Sequence, residues 1–373
     1  MTKKTILAHR ARTLLITFIL IGAACAADPP KQQNDGGPTG GSGSGGGGGS
    51  GGPPEPPGPG LPVPPGAGDV PKPTGTLGNL KVLDWAGFKA AVTYTFDDAQ
   101  PSQVEHYADL QGTGVRHTFY ITSNSSNIDA TFSQAVRDGH EMGNHTVHHC
   151  QANLTNCTNP LPTVDAELDD CNSYIKSHLG QGDVWTAASP YGDTGWDAPD
   201  MSRFFINRGV QSGTIAPNDS TDPFNLPCHA AVEGETVAMF NTAIDGADSA
   251  GRWLIFLIHT IAPTSQIWYA PIDVSVITGS IAHAKTLGDM WIDSAVNVGA
   301  YWRGQKIVST AAPTTAGGAQ TWTWTLPGHF PPGRSLRVTV DGGTLSQNGA
   351  PLTWDPHGYY EIALDAKTLT LSP

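Results

Sequence analysis

Four short stretches of this sequence hold residues fit for hydrolytic chemistry. Asp97-Asp98 are adjacent carboxylates. On an extended chain neighbouring side chains point to opposite sides, so one can ligate a cation while the other accepts a proton. Gly143-Asn144-His145-Thr146-Val147-His148-His149 sets His145 and His149 four residues apart. On one helical turn they would share a face and chelate one metal through ring nitrogens. No Glu follows the first His, which excludes the HExxH zinc-protease pattern. His148 is offset by one and is expected to point elsewhere. Ser189-Pro190-Tyr191-Gly192 reads as a turn that can hold a backbone N–H outward, as an oxyanion donor requires. His259 closes the apolar run Trp253 to Ile258 and offers a general acid or base. Each has a plain structural reading too: Asp is common in turns, and a His ending a buried strand is often satisfied within the core.

The elements around these residues argue for the chemical reading. Ala91 to Phe96 alternates and is rich in β-formers, so it is expected to be a strand, as is Arg116 to Thr122. Ile128 to Arg137 has helical spacing with Gly139 as a stop. Val164, Leu168, Cys171, Ile175 and Leu179 share one helical face, which predicts an inward Cys171. Asp183 to Ala188 and Met290 to Ser294 read as strands, Trp253 to Ile258 as a buried one, and Val296 to Trp302 as a helix. Strands alternating with helices predict an α/β barrel or a doubly wound sheet. Asp97, Asp98, His145, Tyr191 and His259 then all stand at or just past the C-terminal ends of elements. In α/β barrels that face carries the active site.

In this order, TFDD, GHEMGNHTVHH, SPYG and LIH resemble the NodB-homology polysaccharide deacetylases, carbohydrate esterase family 4, over roughly residues 80–305. The resemblance implies a distorted (β/α) barrel and one divalent metal held by Asp98, His145 and His149. It implies Asp97 as catalytic base, His259 as general acid, and Tyr191 as the residue whose backbone N–H helps hold the oxyanion. Two positions depart from the family. Ala188 stands where the third motif often has an Arg that steadies the base, and Ala99 stands where the first usually has Gly. Asp219, Asp222 and Trp253 are the candidates for the fourth motif. Zinc is the first expectation for a His₂Asp set, with cobalt, nickel or manganese also suited.

Composition bounds the rest. The 373 residues carry 20 Lys and Arg against 33 Asp and Glu, a formal charge of −13. Lys3, Lys4, Arg10 and Arg12 lie in a leader without acidic residues, so the remainder carries −13 − 4 = −17. That excludes a nucleic-acid partner, whose phosphates need a basic face. The basic start and the apolar stretch Leu14 to Ala27 form an export signal over residues 1–27. Ala24-Cys25-Ala26 suits signal peptidase; Ile21 to Cys25 resembles a lipobox, which makes Cys25 a lipid-anchor candidate. Residues 28–75, rich in Gly, Ser and Pro, are expected to be a disordered tether. Export predicts a surface lipoprotein, or else a secreted protein. It also allows two disulfides among Cys150, Cys157, Cys171 and Cys228, with Cys150–Cys157 favoured because the two bracket a short polar loop.

The deacetylase domain is expected over residues 76–305. Beyond it the helical pattern stops, and residues 306–373 predict a small all-β, sandwich-like domain. Three functions compete. The first is metal-dependent removal of N-acetyl groups from an acetylated polysaccharide. The second is O-acetyl esterase action on a xylan-type polymer by the same fold. The third is a non-catalytic carbohydrate-binding protein using Trp322, Trp324 and Trp354. In either enzyme, Trp196 and Trp268 are candidates for stacking on sugar faces.

Overall fold

A computed structural model describes residues 60–373. The export signal, Cys25 and most of the tether lie outside the described residues. In chain order the elements are β1 (Lys81–Val82), β2 (Ala90–Phe96), α1 (Pro101–Glu105), α2 (Tyr107–Gly112), β3 (Thr118–Ile121), α3 (Asp129–Arg137), β4 (Glu141–Asn144), α4 (Val164–Tyr174), β5 (Thr186–Ala188), α5 (Asp197–Met201), β6 (Ile206–Ser212), β7 (Leu226–Ala230), α6 (Val237–Ala250), β8 (Trp253–Ile258), β9 (Ile261–Ala262), β10 (Ile272–Asp273), α7 (Val274–Leu287), β11 (Met290–Ile292) and α8 (Ala295–Thr310). The rest is β-rich: β12 (Thr314–Ala316), β13 (Ala319–Thr323), β14 (Ser335–Thr339), β15 (Thr344–Gln347), β16 (Ala350–Pro351), β17 (Trp354–Asp355), β18 (Tyr359–Ala363) and β19 (Thr368–Ser372).

Strands β2 to β8 pair in parallel in sequence order, and β2 pairs β8, which closes a seven-stranded barrel. The distorted (β/α) barrel expected from the sequence is therefore present. Strand β11 lies beside the first half of β2. Every residue of β2 and of β8 is buried, as strands with both faces covered require. One apolar cluster lies between strands and outer helices, around Tyr94, Phe119, Phe132 and Phe256. Helix α4 ends in a π-turn, Ile175–Leu179, and Gly180 stops it with a left-handed φ of 82°.

A second cluster joins barrel and β-rich region, running from Ala91, Trp253 and Trp291 through Trp302 to Leu336, Ile362 and Leu371. The β-rich region has two antiparallel sheets, ordered β1-β14-β18-β17 and β12-β13-β19-β15-β16. The first recruits β1 from before the barrel, with Val82 opposite Val338. Helix α8 runs straight through residue 305, where the sequence divides the two parts.

Several expectations need correction. The end of the tether is not disordered: buried Arg337 donates to the carbonyls of Pro62 at 2.7 Å and Leu61 at 3.2 Å, and Val70 N donates to Pro356 O at 2.8 Å. Prolines cannot donate, but their carbonyls accept freely. Trp322 and Trp324 are buried and present no stacking surface, because their alternating pattern faces them into the shared core. Trp354 is half-buried, and its indole donates to Val70 O at 2.8 Å. Trp196, expected at the rim, is also buried. One disulfide joins Cys150 and Cys157, while Cys171 and Cys228 are buried free thiols.

Candidate metal-dependent active site

Asp97, Asp98, His145, His149, Tyr191 and His259 line one cavity of about 560 Å³ at the C-terminal rim of the barrel. Asp97 and Asp98 follow β2. Asp98 and Ala99 have φ of 74° and 52°, left-handed values that turn the chain off the strand and explain a preference for Gly at position 99. Gln103 fixes this turn to the rim: its amide donates to the carbonyls of Asp97 at 2.6 Å and His259 at 3.2 Å. Gln100 donates to Asp98 Oδ2 at 3.0 Å and so leaves Oδ1 to face the imidazoles.

The two imidazoles meet without a helix. Residues 145–149 form a loop after β4, with left-handed φ at Thr146 (66°) and His149 (53°). The helical turn expected from the spacing is thus wrong, although the convergence it was meant to explain is present. The buried carboxylate of Glu167, on α4, shapes the loop instead. It accepts from the backbone N–H groups of Val147 (3.1 Å) and His148 (2.8 Å), from the His148 ring at 2.9 Å, and from Leu161 N at 2.8 Å. His148 therefore points away from the cavity, as expected. The Cys150–Cys157 bridge closes the next turn.

Asp98 Oδ1 stands 3.4 Å from His145 Nε2 and 3.4 Å from His149 Nε2. Ligands about 2.0–2.1 Å from a tetrahedral zinc stand about 3.3 Å apart, so both separations match a coordination edge. One ligand atom from each of the three residues lies within 4.8 Å of the others. His145 Nδ1 donates to Ala188 O at 2.7 Å, which fixes the tautomer and leaves buried Nε2 as a lone pair without a hydrogen-bond partner. An orphaned acceptor at that position fits a metal ligand. Burial lowers the His149 pKa to about 4, which keeps this ring neutral and able to donate its lone pair. Burial by itself would raise the Asp98 carboxyl, but its interactions with His145, His149 and His259 outweigh this and hold it well below the usual range.

Asp97 is buried, and its Oδ2 takes a hydrogen bond from Arg208, itself buried. Its Oδ1 has no partner. The other Arg208 nitrogen donates to Gly209 O at 3.1 Å, and Tyr120 lies under the guanidinium at 5.3 Å. Arg208 is on β6 directly opposite Ala188 on β5. The guanidinium missing at position 188 is thus supplied from the neighbouring strand. The sequence reading missed Arg208, although a lone charge after Phe204-Phe205-Ile206 in a buried strand was a usable cue for a paired group.

Tyr191 has a φ of 59°. Its ring packs on His149 at 4.6 Å, and its hydroxyl donates to Asn156 O at 2.9 Å. His259 follows β8, and burial lowers its pKa. The fourth-motif candidates do not join the cavity. Asp219 and Asp222 cap local turns, and the Trp253 indole donates to Thr93 Oγ1 at 3.0 Å in the barrel interior.

Glu167→Gln is expected to weaken zinc binding by about 10–100-fold, because it disturbs the loop that presents both imidazoles. Competition with a zinc chelator measures this. Unchanged affinity would show that the loop holds its shape without the carboxylate.

Residues 87–203 match the polysaccharide deacetylase family model. No curated protein sequence matches the chain. Solved structures that are similar include the carbohydrate esterase family 4 domain of a multidomain xylanase from the hindgut metagenome of Trinervitermes trinervoides. It is 21% identical with a TM-score of 0.39, over 56% of this chain and 89% of that one. A family 4 acetyl xylan esterase from Clostridium thermocellum, in complex with a cobalt ion, is 16% identical with a TM-score of 0.39, over 56% and 89%. The polysaccharide deacetylase Bc1974 from Bacillus cereus is 15% identical with a TM-score of 0.38, over 55% and 91%. Residues 87–203 thus match the polysaccharide deacetylase family, and the barrel carries at one rim the motifs by which the chain resembles its NodB-homology members.

Proposed function

We propose that the chain is a metal-dependent hydrolase that removes N-acetyl groups from a polysaccharide outside the cell and releases acetate. The observation that carries this reading is the junction, in one cavity, of the Asp98/His145/His149 donor set with an Arg-held carboxylate and a second imidazole. The donor set suits zinc first. A divalent cation bound there supplies Lewis acidity towards an acyl oxygen and makes water more acidic.

The chain's own groups divide the remaining work. Arg208 occupies Asp97 Oδ2, so Oδ1 is the atom that accepts a proton from the attacking water. The Tyr191 N–H stabilises the tetrahedral oxyanion. His259, protonated, hands its proton to the departing amine. Burial disfavours its cation, which makes that cation a readier acid. The export signal and Gly/Ser/Pro stretch support a location at the cell surface, through a lipid on Cys25 or as a secreted protein.

An amine leaves poorly unless protonated, whereas an alcohol leaves more easily. His259→Ala is therefore expected to lower acetate release from N-acetylated oligosaccharides by about 10²–10⁴-fold, and from O-acetyl xylan at least tenfold less. Release from xylan alone by the wild type would move the assignment to the ester reaction. Equal losses on both substrates would remove His259 from the role of acid.

A further inference from the structure

Between β9 and β10 the chain makes an excursion over residues 263–271. Its foot is tied to α1 and the residue after it. The Glu105 carboxylate accepts from the hydroxyls of Thr264 and Ser265 at 2.6 Å each, and His106 Nε2 meets Pro263 O at 2.7 Å. Its returning limb is tied to the rim. Trp268 N donates to Thr260 Oγ1 at 3.3 Å, and Thr260 N donates to Tyr269 O at 3.3 Å. The excursion is thus anchored on both sides, yet Ile267, Trp268 and Tyr269 at its tip are 67%, 54% and 66% exposed. Side chains of this kind gain free energy when they leave water. Three in a row left in water on a fastened loop mark a surface that something covers.

The position of the loop says what covers it. The Tyr269 ring meets His259 edge to face at 4.9 Å and lines the site cavity. Tyr191, 49% exposed, lines the same cavity and packs on His149. Each of these imidazoles therefore has beside it an aromatic ring open to solvent. Val210 and Val232 extend the apolar wall. Among the described residues, Arg208 is the only Lys or Arg lining the cavity, and Asp97 engages it. A carboxylate, sulfate or phosphate on the sugars would find no side-chain ammonium or guanidinium to pair with, and would meet Asp97 and Asp98.

We infer that residues 267–269 and Tyr191 form a rail that binds an uncharged acetylated polysaccharide as a run of several sugars. The C–H faces of the sugars stack on the rings, to either side of the unit whose acetyl group reaches the donor set. This rests on the deacetylase reading and narrows its substrate.

The test uses the full exported chain, zinc-loaded, and the double variant Trp268→Ala/Tyr269→Ala. Substrates are p-nitrophenyl acetate, a neutral N-acetylated tetrasaccharide and acetylated alginate. The variant is expected to lose about tenfold more kcat/KM on the tetrasaccharide than on the small ester, with the tetrasaccharide loss residing in KM. Wild type is expected to prefer the tetrasaccharide to alginate. Equal losses on ester and tetrasaccharide, or a preference for alginate, would overturn the rail. Binding without turnover separates this from the deacetylase reading: in an Asp97→Asn background the tetrasaccharide should alter tryptophan fluorescence, and Trp268→Ala should abolish the change. No turnover on any substrate with that binding retained would sink the enzyme and keep the rail; no binding by Asp97→Asn would sink the rail.

Discussion

Arg208→Met is expected to lower kcat on an N-acetylated oligosaccharide by about two to three orders of magnitude while zinc stoichiometry is kept. The pair it breaks is buried on both sides. With Arg208 present, Asp97 is held through Oδ2 and presents Oδ1 in one direction. Without it the carboxylate is free to rotate, and a misplacement of about 1 Å at a reacting group can cost about 100-fold. Breaking one side of a buried pair also costs about 3–5 kcal/mol of stability, so thermal melts must accompany the kinetics. A second-site variant separates geometry from general damage. Because Ala188 and Arg208 are partners across β5 and β6, Arg208→Ala/Ala188→Arg returns a guanidinium from the adjacent strand. It should recover at least about tenfold of the lost kcat if orienting Asp97 is the role. A kcat within twofold of wild type in Arg208→Met would show that Asp97 needs no such support.

Ending the chain at residue 311 is expected to abolish folding of the barrel rather than release an independent enzyme. Truncation removes β14, the partner of β1, and removes Arg337, which holds Ala86 O at 2.8 Å as well as Leu61 and Pro62. It bares the face of α8 on which Gly304 sits so close to β-rich residues that an added Cβ would stand 2.6 Å from Leu364. On the barrel side an added Cβ at Gly299 would be 2.6 Å from Ile206, so the same helix is fitted tightly to both parts. Leu336, Ile362 and Leu364 are fully buried, and burial of each such side chain contributes about 1.5–3 kcal/mol. Losing several at once is comparable with the about 5–15 kcal/mol by which domains are stable. The truncated chain should be insoluble or lack a cooperative melt. Gly304→Val gives a milder reading, a lower Tm from overpacking worth about 1–3 kcal/mol. A truncated chain that melts sharply within a few degrees of full length would make residues 312–373 a separable module.

The site was legible because its parts are local and end strands. TFDD, the two His and the LIH run each announce themselves within a few residues, and the barrel's parallel order brings strand ends to one rim. What escaped depends on distant partners. Arg208 reaches Asp97 through the β5–β6 register, which no short window contains. The spacing of His145 and His149 suggested a helix because it matches one turn; left-handed residues and Glu167, from α4, produce the same convergence in a loop. Trp322 and Trp324 alternate as an exposed stacking strip would, but both turn into the apolar cluster shared with the barrel, where the Trp324 indole donates to Leu364 O at 2.8 Å. Cys150 and Cys157 were readable from their spacing and the inward Cys171 from its helical face, whereas nothing local marks Cys228 as a buried thiol. The end of the tether looked unstructured by composition, yet its carbonyls meet Arg337 from 275 residues further on.

Acetate release from an N-acetylated oligosaccharide by the zinc-loaded full chain, beside equally loaded Asp97→Asn, tests the central claim most directly. The wild type should release acetate, a chelator should stop it, and added zinc should restore it. Asp97→Asn should bind one zinc and release at least about 100-fold less. Equal release by both proteins, or release untouched by chelator, would contradict the assignment of Asp98, His145 and His149 to the metal and of Asp97 to the base.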